Sequence, residues 1–315
     1  MREYLTILCK NNILSILIFE KEVFMVVVKI GDGMGNQLFN YACGYAAARR
    51  DNDTLMLDTS ECDNSTLRDF ELDKFHLKYD ARESFPNQTR LQKVFKLVRR
   101  NLKYRVIKER EVFLNRSGRY DVNDIDPRVF EKKKIRDKYL LGYWQHLPYF
   151  EEYLGEIRQM MTPAYAQSDT VIRLRKQFET EPTCAVHIRG GDIGGPSGAY
   201  FYRAIERMEQ EKPGVSYIIF TNDMVRAKEA LSQLSGLGET EDYEDVTKRM
   251  RYVTELGEFS DVDEFFLMAS CQNQILSNST FSTWAAYLNA NEDKTVIMPQ
   301  DILSDRMKME NWLIL

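Results

Sequence analysis

The stretch His187-Ile188-Arg189-Gly190-Gly191-Asp192 follows directly on the apolar run Thr183-Cys184-Ala185-Val186. A buried strand ending there holds an arginine at its mouth, followed by a flexible glycine pair and an acid. Alternation along the strand sends His187 and Arg189 to the same side, near the carboxyl end where α/β folds bind ligands. Arginine offers two parallel donors to a phosphate, and each charge-assisted bond contributes roughly 1.5–3 kcal/mol. The chemistry this supports is a grip on a phosphate-bearing leaving group, as in sugar transfer from a nucleotide donor. For an isolated His-x-Arg, a structural ion pair would be the better explanation. Two more strand ends accompany it: Phe220-Thr221-Asn222-Asp223, and Ser277-Asn278-Ser279-Thr280-Phe281-Ser282 before a helix holding Trp284 and Tyr287. A run of hydroxyls at a helix start can be mere capping, but three such ends could converge on one crevice.

A glycine cluster, Gly31-Asp32-Gly33-Met34-Gly35-Asn36-Gln37, lies between a strand and a helix. Glycines there let the backbone approach a ligand, and the helix N-terminus offers amide donors to an anion. No Lys-Ser or Lys-Thr follows, so it is not a P-loop. Asp58 ends the next strand about twenty residues on, which keeps a nicotinamide-dependent dehydrogenase open. The spacing is GxGxG rather than GxGxxG, however, and a tight turn without ligand is the plainer alternative. Three acidic pairs, Asp51-Asn52-Asp53, Asp124-Ile125-Asp126 and Asp261-Val262-Asp263, raise the question of a cation held against a diphosphate. The last opens an amphipathic helix, where the helix dipole alone favours acids.

The elements that must position these groups alternate along the chain. Strand-like runs fall at residues 26–30, 54–57, 139–143, 184–188, 217–220, 274–276 and 295–298, with helical patterns between them. This is the mark of parallel α/β layering. Asn36 can cap the helix that runs through Leu38, Phe39, Ala42 and Ala46. The polar stretch 161–181 is the expected boundary helix between two halves. The expected division is therefore residues 25–165 and 166–315, with residues 1–24 a non-native extension upstream of Met25.

With 315 residues and a net charge of −5, the chain suits two domains and is poorly suited to nucleic acid. Five cysteines without a CxxC pair suggest neither a disulfide framework nor a zinc site, and three histidines without HExxH weaken a zinc hydrolase. A reducing cytoplasm fits. Between residues 87 and 108 stand eight lysines and arginines and no acid, with Leu91, Val94, Phe95, Val98 and Leu102 at helical spacing. A peripheral membrane contact through 88–108 is one explanation. A helix packing its stripe on the domain, with a solvated basic face, is the favoured one.

The ordered pieces resemble the α-1,2-fucosyltransferases, glycosyltransferases of family 11 and bacterial type. They are Gly33-Met34-Gly35-Asn36-Gln37-Leu38-Phe39-Asn40-Tyr41-Ala42, Leu57-Asp58-Thr59-Ser60, Leu72-Asp73-Lys74-Phe75, Gly142-Tyr143-Trp144-Gln145 with Tyr149-Phe150, and the three C-terminal motifs. The resemblance implies an α/β, GT-B-like fold of two facing Rossmann-type halves with parallel sheets. It implies inverting transfer of L-fucose from GDP-fucose to a galactose 2-hydroxyl, with no metal and no other cofactor. The acceptor would be a galactose-terminated oligosaccharide or lipid-linked glycan of surface polysaccharide synthesis, met in the cytoplasm or at the inner membrane.

Carried over by position, Arg189 would grip the donor β-phosphate, with His187 orienting it. Ser279, Thr280 and Phe281 would line the diphosphate or fucose, beside Asn222 and Asp223. Gly33, Gly35, Asn36 and Gln37 would close on the donor from the first half, and Asp192 is the candidate base, the alternative being that it only braces Arg189. Two departures stand out. The family motif HxRRGD has Gly190 in place of its second arginine, and the usual tryptophan pair is Thr283-Trp284. Either departure fits weaker donor binding, a compensating cation such as Arg203, or a shifted donor or acceptor, and the first also fits a nucleotide-sugar binder that has lost turnover.

Overall fold

The computed structural model describes residues 25–66, 68–84, 104–108, 125–131, 137–190 and 195–315. The first parallel sheet is built from β1 (Met25–Lys29), β2 (Thr54–Asp58), β3 (Ala81–Glu83), β4 (Tyr104–Lys108) and β5 (Asp137–Leu141), in the order β3-β2-β1-β5-β4. Its helices are α1 (Met34–Asp51), a single turn α2 (Ser60–Asp63) and α3 (Leu154–Met160). The second parallel sheet follows α4 (Asp169–Thr180). Its strands are β6 (Thr183–Ile188), β7 (Ser216–Thr221), β8 (Met250–Tyr252), β9 (Asn273–Ile275), β10 (Val296–Met298) and β11 (Leu313–Ile314), ordered β11-β10-β9-β6-β7-β8. Between them run α5 (Gly198–Glu211), α6 (Met224–Ala230), α7 (Asp261–Ser270), α8 (Thr280–Leu288) and α9 (Ile302–Met307). This is the expected α/β, GT-B-like architecture with two parallel sheets.

In both sheets the first strand, β1 or β6, sits inside, and the chain then grows outward on one side before crossing to the other. The reversal makes a crevice outside the carboxyl ends of β1 and β6, where such folds bind ligands. The apolar runs found in the sequence became the interior strands β1, β2, β5, β6, β7, β9 and β10, all within two residues of the expected ends. The strands without such a run, β3, β4, β8 and β11, are the four sheet edges. Edge strands are short and partly solvated, so their residues need not be apolar. β4 corrects one expectation: Tyr104–Lys108, the end of the basic stretch, is extended and pairs with β5. The rest of that stretch, with Leu91, Val94, Phe95, Val98 and Leu102, lies outside the described residues, as do residues 1–24.

The two sheets share one core. Helix α1 is buried almost all round because it packs on β1 with one face and on α8 with another. Its small residues permit this: a Cβ on Gly44 would sit 2.6 Å from Val28 Cγ1. On the α8 side Phe39 meets Trp284 edge-on at 5.2 Å, and Trp284 stacks on Phe150 at 5.4 Å. Fully burying aromatics of this size contributes roughly 1.5–3 kcal/mol each, so the junction resembles a domain interior. Among the described residues, no helix is long and apolar enough to cross a membrane.

Candidate active site

The strand register brings the motif ends together. Ile188 pairs with Thr221 and Val186 with Ile275, so Arg189, Asn222 and Ser277 leave the sheet side by side. Side chains then continue the ladder. Ser277 Oγ donates to the His187 carbonyl at 2.7 Å and accepts from Arg189 N at 3.2 Å. Asn222 Oδ1 accepts from Gly190 N at 2.9 Å, while its Nδ2 donates to Gly190 O at 3.4 Å. Arg226 donates Nε to the Arg189 carbonyl at 3.0 Å and Nη2 to the Gly195 carbonyl at 2.8 Å. The backbone of Arg189 and Gly190 is thus held from three directions. The Arg189 side chain is half-buried, and among the described residues the guanidinium meets no carboxylate. A structural ion pair for this guanidinium therefore has no partner among the described residues.

Gly190 has a steric cause. A Cβ at this position would lie 2.2 Å from Asp223 Cβ, closer than real atoms come. Asp223 is fixed in turn, because its carboxylate caps α6 by accepting from Arg226 N at 3.0 Å. The second arginine of the motif could not be restored here without moving that cap. Arg203, the expected substitute cation, is exposed on α5. Asp192 lies outside the described residues.

His187 is buried, and burial first, then the charge of Arg189, pushes its pKa down to about 3. The imidazole is neutral at ordinary pH and too weakly basic to hold a proton taken from a substrate. Its ring lies 5.8 Å from that of Phe281, and its Nδ1 finds no hydrogen-bond partner among the described residues. Asn278 Oδ1 and Ser279 Oγ are likewise buried and unpartnered among them. Each such atom costs on the order of 1–3 kcal/mol, and three on the adjoining ends of β6 and β9 mark a polar, poorly satisfied wall.

The first sheet supplies the opposite wall. Gly33 rather than Asn36 caps α1, so Asn36 falls inside the first turn and its amide is free for tertiary contacts. Asn36 Oδ1 accepts from Thr280 Oγ1 and from Gln145 Nε2, both at 2.9 Å. Gly35 allows the approach: a Cβ there would stand 2.5 Å from Thr280 Oγ1 and 2.6 Å from Phe281 N. At Gly33 a Cβ would meet only open space. Gln37 is fully buried, donating to the Asp32 and Asp69 carbonyls and accepting from Glu71 N. It fixes the glycine loop and keeps no polar atom for a ligand. Thr283 and Trp284 are fully buried, with Thr283 Oγ1 donating to the Ser279 carbonyl at 3.0 Å.

The structure thus gathers Arg189, His187, Asn222, Ser279, Thr280, Phe281 and Asn36 around one crevice. Gln145, Ser277 and Arg226 join them without having been assigned roles from sequence. Gln145 stood in a motif, but nothing in the spacing of Arg226 reveals that it staples the loop after β6.

The competing motifs are engaged elsewhere. Asp58 is buried, accepting from Tyr139 and, at 3.0 Å, from Ser60 N, so it is not presented to a ribose. Asp51 is ion-paired with Lys138 at 2.6 Å in the interior. Asp126 caps a short turn and binds Arg128. Asp263 accepts from Tyr165, Gln167 and Ser260. Asp124 lies outside the described residues.

Two curated relatives come from Escherichia coli. The O-antigen biosynthesis glycosyltransferase WbnK is 25% identical over 325 residues, covering 90% of this chain and 98% of its own. An alpha-1,2-colitosyltransferase is 24% identical over 275 residues, covering 84% and 87%. The crystal structure of the fucosyltransferase NodZ from Bradyrhizobium superposes with a TM-score of 0.49 at 17% identity, covering 84% of this chain and 93% of that one. The model of glycosyl transferase family 11 matches residues 25–314, which includes both walls of the crevice, and the chain is accordingly a glycosyltransferase belonging to that family.

Proposed function

We propose that the protein moves L-fucose from GDP-fucose to the 2-hydroxyl of a galactose-containing glycan, with inversion and without a metal or other cofactor. The observation that carries this reading is Arg189: a half-buried guanidinium, backbone pinned, with no carboxylate partner among the described residues, at the switch point of the second sheet. Held there, it is aimed where charge grows on a departing diphosphate, and an interaction strongest in the transition state raises turnover. Asn36, bonded to Thr280, closes the crevice from the other side. Asp192, four positions after the end of β6 in the chain, is the proposed acceptor of the 2-hydroxyl proton.

The acceptor in this proposal is a galactose-terminated or lipid-linked glycan of surface polysaccharide, reached from the cytoplasm or at the inner membrane face. Family membership, and relatives named for O-antigen biosynthesis and for α-1,2 transfer, support it. The colitosyltransferase relative also favours a second donor, with colitose in place of fucose.

Incubation of the purified protein with GDP-fucose and a β-galactoside, with and without EDTA, tests the proposal. The expected product is a 2-O-fucosylated galactoside in both arms. Release of GDP without that product, or binding without turnover, would reject it. A parallel arm with the GDP-linked colitose donor separates the two sugars.

A further inference from the structure

A second cavity lies at the amino ends of the strands of the second sheet. Its volume is about 450 Å³, and its walls include Arg158 on α3, Arg175 and Glu179 on α4, Ser270 at the end of α7, and Ala290 just beyond α8. These positions sit where α4 and α7 run into the beginnings of β6 and β9. Thr280 and Leu288 are opposite ends of the 9-residue α8, so the cavity stands about 12 Å beyond the crevice on the rise of a helix. It belongs to a different face of the fold from Arg189.

Several partly buried arginines hold a carboxylate: Arg249 with Glu209, Arg105 with Glu131, and Arg50 with Glu152. Among the described residues, Arg158 and Arg175 have no such ion pair. Arg158 donates Nη2 to Met309 Sδ at 3.8 Å, and its Nε is buried without a hydrogen-bond partner among the described residues. Arg175 donates to the neutral oxygens of Ser270 and Gln167, its guanidinium lying 5.0 Å from the centre of the Phe266 ring. Lys294, whose amine donates to the Asn289 carbonyl at the cavity wall, is held down to about 8 by burial and by Arg158. The one carboxylate in the wall, Glu179, accepts from Ser270. Buried charge without a counter-charge is costly, and an arginine fork is the donor geometry suited to phosphate.

We propose that this cavity is a second ligand site, for a small molecule carrying a phosphate-class oxyanion, with Arg158 and Arg175 as its two donors. The volume exceeds that of a bare ion and matches the lower range of small-ligand pockets. The apolar floor from Phe266 and Leu288 suits a carbon skeleton attached to the anion. Because Arg158 comes from α3 of the first sheet and Arg175 from α4 beside the second, an occupant ties the two together.

Calorimetric titration of the whole chain with mannose 1-phosphate, inorganic phosphate and methyl mannoside tests this. Binding of mannose 1-phosphate is expected, weaker binding of inorganic phosphate, and none of the uncharged sugar. Arg175→Gln should weaken mannose 1-phosphate binding about tenfold or more, the loss of one charge-assisted bond. Ala290→Glu, an exposed position at the wall, should do the same by repulsion without touching the core. Arg189→Ala should leave this binding unchanged. Binding that survives both Arg175→Gln and Ala290→Glu, binding lost only in Arg189→Ala, or no binding of either anion overturns the proposal.

Discussion

Asn36 and Thr280, 244 positions apart in the chain, share a hydrogen bond of 2.9 Å that closes the crevice between the two sheets. Gln145 donates to the same oxygen, so Asn36 is the common acceptor of two segments. Thr280→Val keeps the shape and removes the donor. It should cost about 0.5–1.5 kcal/mol of stability and raise the KM for donor more than it lowers kcat. Chemical denaturation beside steady-state kinetics checks both. An unchanged KM would mean that the bond only braces the fold.

Gly35→Ala should be worse than its single methyl suggests. Two of the three atoms its Cβ would meet are backbone, Phe281 N and Thr280 C, each at 2.6 Å, and a rotamer change does not clear them. The expected loss is about 1–3 kcal/mol, with transfer activity falling further because the clash is at the crevice. Thermal unfolding and turnover measured on one preparation would show it.

Arg189→Ala should lower kcat by about a hundredfold or more, the scale seen when a donor to developing charge is removed. Arg189→Lys should recover part of it, since the charge returns without the fork. Retention of full turnover in Arg189→Ala would take this residue out of the chemistry.

Gly190→Arg looks from sequence like a repair that tightens donor binding. The 2.2 Å approach to Asp223 Cβ predicts the opposite, a displaced α6 cap and a weaker donor. Gly190→Ala should already show the defect. Pairing it with Asp223→Gly should return part of the lost GDP affinity, measured by calorimetry in a double-mutant cycle.

Acid should weaken the fold through His187. Its pKa is near 6.5 in the unfolded chain and about 3 in the folded one. Its contribution is therefore full above 6.5 and is lost as pH falls from there toward 3, at up to about 1.4 kcal/mol per pH unit. Glu264, pushed up to about 7 mainly by burial, works in the other direction between its usual value and 7. The difference between wild type and His187→Gln, from urea unfolding across this range, isolates the histidine. A constant difference would show that the imidazole is not held neutral.

Much of the scaffold was legible because interior strands of parallel sheets are buried on both faces and read as unbroken apolar runs. That gave β1, β2, β5, β6, β7, β9 and β10, and with them the strand ends that carry Arg189, Asn222, Ser279 and Asn36. The edges β3, β4, β8 and β11 were not legible, since a half-solvated strand has no such signature. Nor was the start of α1, because glycine caps it without a side-chain signal.

By itself, the sequence determined which residue types stand at the ends of buried strands, because periodicity and composition are local properties. Only the tertiary structure decided which of those residues meet. The register of β6 against β7 and β9 set Asn222 and Ser277 on the backbone around Arg189. The packing of α1 on α8 brought Asn36 to Thr280. Asp223 made Gly190 a steric necessity, and burial turned Asp58 and Gln37 from ligand candidates into supports. Such contacts join residues far apart in the chain, and their energies depend on distances of a few ångströms that no local pattern encodes.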